Sequence, residues 1–158
     1  MKNAQQMKKN SDISEAWKKK SGGDLTVEEL LTMNESEYMN EQQLAFFRHL
    51  LETLKYDLLH KADKTTETLK RDTVVVPDPA DRATIEEEHA LELRTRDRER
   101  KLLKKIEQSI ARIDANNYGY CDETGEEIGL ARLLARPTAT LSLEAQERRE
   151  LRQKMFGD

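Results

Sequence analysis

A chain of 158 residues is long enough for one ordinary domain, or for a smaller globular part joined to an extended element. Charged residues make up 37% and aromatics 5%, too lean for a large compact core and normal for a solvated coiled coil. The net charge of −4 gives no electrostatic case for nucleic-acid binding, the single cysteine excludes an intramolecular disulfide, and no apolar run approaches the ~20 residues that span a bilayer.

Residues 1–24 are polar and Lys-rich and end in Ser21-Gly22-Gly23, which reads as a mobile tail. Ile13 and Trp17 are the groups there that could instead dock onto the body. The opening MKNAQQMKKN lacks the apolar stretch of a secretory signal, so a soluble, cytoplasmic chain is expected. Residues 25–37 hold a short helix. Thr26 and Glu29 stand at capping-box spacing ahead of Leu30 and Leu31.

Residues 38–116 predict a coiled-coil hairpin. Asn40 can cap the first helix with Gln43 three residues on, and Met39 can staple against Leu44. Leu44, Phe47, Leu51, Leu54 and Leu58 then follow at spacings of three and four, the mark of an apolar seam. The seam turns mostly polar through Lys61, Thr65 and Leu69, and three β-branched valines precede Pro77.

The tip is residues 73–84, TVVVPDPADRAT. Pro77 and Pro79 bias the residues before them away from the helical region, so one helix stops upstream. Asp81 is placed to cap the next. Two long helices joined by a short turn fold back antiparallel, each about 45–50 Å long. Asp78 and Asp81 then sit at the far end of an extended element, an odd place for acids unless something meets them there.

The second arm carries Glu86, Glu87 and Glu88 near its start, which suits the helix dipole. It regains three-four spacing at Leu103, Ile106, Ile110 and Ile113. Between these runs, Arg94 to Lys105 holds seven basic residues. They form either a solvated face or an anion-facing patch.

Residues 117–141 break the pattern with Gly119, Gly125 and Gly129, and Ser142 opens a C-terminal helix over 142–158. The segment looks like a zinc knuckle reduced to one ligand. Cys121 would need a partner at Thr124 and a second pair at Ser142 and Ala145. A structural zinc site takes four soft or borderline ligands, so no metal is expected. Ser142 is explained equally by helix capping. Tyr118, Tyr120, Ile128, Leu130, Leu133, Leu134 and Leu141 are the expected substitute core, with Cys121 as a small buried hydrophobe. The fold class expected is all-α: a long antiparallel coiled-coil hairpin on a small globular base with a degenerate zinc-ribbon-like region.

Four stretches, YMNEQQLAFFRHLL, VPDPADRATIEEE, LELRTRDRERKLLKKIE and YGYCDETGEEIGLARLLARPTATL, together resemble the DksA family, which also includes TraR. The likeness covers about residues 38–155 and is nearest to the cysteine-poor, zinc-independent members. It implies a transcription regulator of the stringent response that enters the secondary channel of RNA polymerase and binds no DNA directly. It implies that the tip residues Asp78, Ala80 and Asp81 approach the polymerase active-site region, and that Arg98 contacts the polymerase. Guanosine tetraphosphate (ppGpp) would be the co-regulator, held at the polymerase interface by Leu102, Lys105 and Arg136. The family has a lysine where this chain has Gln146, which removes one phosphate contact.

Three readings follow. Composition and spacing alone favour a generic coiled-coil adaptor whose tip acids are turn and cap residues. The resemblance favours a monomeric polymerase-binding regulator. An enzyme using magnesium between Asp78 and Asp81 finds no enclosed site.

Overall fold

The computed structural model describes residues 20–72 and 78–157, with the side chains of residue 62 and residues 64–72 excepted. Ile13, Trp17 and residues 73–77 of the tip lie outside this set. Five α-helices are described: α1 (Val27–Thr32), α2 (Glu41–Asp72), α3 (Pro79–Asp114), α4 (Leu130–Ala135) and α5 (Leu143–Phe156). No β-strand is present among the described residues, only an isolated antiparallel bridge between Tyr120 and Glu127. The all-α expectation therefore holds. None of the helices is long and apolar enough to cross a membrane.

The residues divide into two compact units, Glu52–Gln108 and the remainder. In the first, α2 and α3 lie side by side and antiparallel. Lys55 pairs with Glu107 and Lys61 with Glu99, both at 3.5 Å, so contacts advance along one helix as they retreat along the other. Leu58 and Leu59 share a groove with Arg96, Glu99, Arg100 and Leu103. Leu54, a seam position, and the side chain of Lys55 beside it are each 38% exposed. Spacings of three then four and of four then three from Leu51 to Leu58 lie equally far from the helical line, so Leu54 and Lys55 flank the seam on either side.

The second unit contains the ends of both long helices and the rest of the fold. Phe47, Leu51, Leu133 and Ala145 are fully buried, with Ile113 and Tyr118 nearly so. The Tyr118 ring lies 5.5 Å from that of Phe47, an aromatic contact between the loop region and α2. Gly22–Asp24, expected to end the tail, form a turn of 3-10 helix, and Gly22 is buried against α2. A β-carbon at Gly22 would collide with the side chain of Ala45, so only glycine allows this approach.

The expected caps form. Glu29 N–H donates to Thr26 Oγ1 at 3.2 Å, Gln43 N–H to Asn40 Oδ1 at 2.8 Å, and Ala145 N–H to Ser142 Oγ at 3.2 Å. Gln43 is fully buried, its Oε1 accepting from Met39 N–H and its amide donating to Met33 Sδ. Met39 takes a positive φ of 54° and lays its thioether beside Gly119.

Candidate functional site

The tip residues stand at the start of α3. Asp78 precedes Pro79, which occupies the first helical position, where its missing N–H costs nothing. Asp81 N–H donates to Asp78 Oδ1 at 2.9 Å, and Arg82 N–H donates to the Asp78 carbonyl at 2.8 Å. Asp78 is therefore the N-cap, and the expectation that Asp81 would cap is corrected. Proline is a good first residue of a helix, so the helix starts three positions earlier than Asp81 capping requires. Asp81 lies in the first turn, and its exposed carboxylate makes no hydrogen bond among the described residues. Ala80 is exposed beside it.

Farther along α3, Arg98, Leu102 and Lys105 are all exposed, at spacings of four and three. They share one face of the helix, pointing away from the stripe that packs on α2. The neighbouring Lys101 pairs with Asp97 at 3.1 Å, as the solvated-face reading anticipates for part of the basic run.

Arg136 belongs to the other unit, at the C-cap of α4, and is exposed. Gln146 is in the first turns of α5. Its N–H donates to the Ser142 carbonyl, and its amide donates to Glu150 Oε1 at 2.9 Å.

Residues 119–128 fold as a tight hairpin. Cys121 N–H donates to Glu126 O, Ile128 N–H to Gly119 O and Gly125 N–H to Cys121 O. Gly125, at φ 73°, makes the return. Asp122 N–H donates to Thr140 O, which brings the hairpin to the start of α5. Cys121, Thr124 and Ser142 meet there, with Ala145 N–H held by Ser142 Oγ. Burial pushes the Cys121 thiol pKa up, but hydrogen bonds from the Thr124 hydroxyl and the amides of Ser142, Thr124 and Glu123 outweigh it and hold it at about 6. Cys121 is thus buried as expected, yet it is an anion-stabilising position rather than a plain hydrophobe. Zinc does not suit this set. Ala145 has no donor atom, Ser142 Oγ is engaged as a cap, and one thiol remains.

A residue that sequence reasoning passed over holds this hairpin in place. The Tyr38 hydroxyl donates to Gly119 O at 2.6 Å and accepts from Gly129 N–H at 3.0 Å, and its ring meets Tyr120 edge-on at 5.7 Å. Tyr118 OH donates to Pro137 O at 2.7 Å, and Arg132 Nε donates to Leu141 O at 2.9 Å. Arg48 pairs with Asp114 and Arg112 with Asp122. The partners of Tyr38 and Arg48, separated from them by tens of residues, leave no local signal in the chain.

The comparisons with known proteins agree on one family. The profile of the DnaK suppressor protein DksA N-terminal domain matches residues 43–113, and that of the prokaryotic dksA/traR C4-type zinc finger matches residues 116–151. The RNA polymerase-binding transcription factor DksA of Caulobacter vibrioides (strain NA1000 / CB15N) is 51% identical over 121 residues, covering 77% of this chain and 85% of that protein. The protein of the same description from Escherichia coli (strain K12) is 48% identical over 121 residues, 77% of this chain and 80% of the other. Among solved structures, the transcription factor DksA2 from Pseudomonas aeruginosa superimposes with a TM-score of 0.73 at 45% identity, covering 80% of this chain and 97% of that one. With matched profiles over most of its length and relatives near half identity, the chain belongs to the DksA family of transcription factors.

Proposed function

We propose that this chain regulates transcription by binding RNA polymerase through its secondary channel, with Asp78 and Asp81 acting near the polymerase active-site region. The observation that carries this reading is at the start of α3. Capping the helix uses Asp78 alone, so the exposed carboxylate of Asp81 has no structural task beyond a modest dipole contribution. The name of the Caulobacter relative, RNA polymerase-binding transcription factor, supplies the partner. Arg98 is a polymerase contact in this reading, and guanosine tetraphosphate acts as co-regulator through Leu102, Lys105 and Arg136. Gln146 cannot supply a further cation, so the nucleotide's effect is weakened rather than lost. The protein works as a monomer without direct DNA contact and without zinc.

Asn caps a helix about as well as Asp, so Asp78→Asn with Asp81→Asn removes charge and keeps the cap. The measurement is the lifetime of open complexes on a ribosomal promoter. Wild type should shorten it. The double variant should bind polymerase with near-normal affinity and leave the lifetime unchanged. Full activity of the double variant would return both acids to a structural role, and failure of wild type to bind polymerase would favour a generic coiled-coil adaptor.

A further inference from the structure

Between residues 85 and 103 of α3, only Ile85, His89, Glu92, Arg96, Glu99 and Leu103 are sheltered, and every residue between them is exposed. Their spacing alternates four and three, the seam of a heptad repeat. Four of these six positions are ionisable. Beyond Leu103 the stripe becomes apolar, and Ile106 is 1% exposed. The buried Oε2 atoms of Glu92 and Glu99 meet no hydrogen-bond partner among the described residues. Lys61 reaches the other Glu99 oxygen only at 3.5 Å and is itself 69% exposed. Sheltered, incompletely satisfied carboxylates at seam positions oppose pairing of the two helices.

We infer that residues 85–100 of α3 form a low-stability unit that separates from α2 in solution while the apolar seam from Leu103 onward stays paired, and that polymerase binding closes it. The opening follows from the seam itself. The closure rests on the proposed function, because a partner that grips the paired helices binds the closed form alone and draws the equilibrium toward it. Closure then lowers the apparent affinity by the fraction of chains that are open.

Hydrogen exchange of the full-length protein, read by mass spectrometry, tests this. Amides of residues 89–100 should be at least about tenfold less protected than those of 103–113. Glu92→Leu with Glu99→Leu should raise protection of 89–100 by about tenfold and leave 103–113 unchanged. The single Glu99→Leu variant serves if the double one self-associates. Uniform protection from 85 to 113, or variants that exchange like wild type, overturns the opening. Adding RNA polymerase core enzyme should protect 85–100 in wild type, and the leucine variants should bind it more tightly. Binding without added protection overturns the closure, whereas no binding at all fails the polymerase reading and leaves the free-protein result standing.

Discussion

Cys121 shows how a position changes its chemistry when its neighbours change. The thiol is buried among donors instead of thiolates, and those donors favour its ionised form. Its pKa falls from an ordinary 9.0 to about 6 on folding. Between these values the unfolded chain binds more protons than the folded one, so stability from this group rises with pH. It is fully present above about pH 9 and lost as pH falls through about 6. In thermal unfolding followed from pH 6 to 9, wild type should gain stability relative to Cys121→Ala, and parallel curves would show that the thiol does not ionise. The sequence told that Cys121 stands alone, but the direction of its pKa depends on amides of residues 123, 124 and 142 that only the folded loop brings near. The tip shows the same limit at closer range: both acids were legible, and which of them caps was decided by Pro79.

At the scale of elements, the helices were readable because their signals are local. Thr26, Asn40 and Ser142 each cap an amide three residues on, a distance that sequence states directly. The hairpin of residues 119–128 was readable as a knuckle, but its anchor was not. Tyr38 lies 81 residues from the Gly119 carbonyl it meets. Tyr38→Phe would leave the Gly129 N–H without its partner and take from the Gly119 carbonyl one of its two donors, the Ile128 N–H remaining. A loss of about 1–3 kcal/mol in urea unfolding is expected, since each part-buried group forfeits a bond it cannot fully regain from water. An unchanged midpoint would place the anchor elsewhere, at Tyr118 or Arg132.

For the molecule as a whole, the two units rest on different chemistry. One is a seam between two helices, and the other is a small core in which side-chain hydrogen bonds stand where a C4-type finger would hold metal. Purified protein should carry no stoichiometric zinc, and chelator should leave its thermal unfolding unmoved. About one zinc per chain by elemental analysis would overturn this reading. The 36 residues of α3 run without interruption from Pro79 to Asp114. Each residue of a helix advances it by about 1.5 Å and turns it by about 100°. Inserting or deleting one residue between Asp81 and Arg98 would swing the two around the axis relative to each other and move the seam off its partner. Two whole turns come to about seven residues, which restore both phases at a length change of about 10 Å. The reach of this arm is therefore quantised: evolution or engineering can lengthen or shorten it only in steps near whole turns, such as about seven or eleven residues, and point substitution is left as the means of finer adjustment.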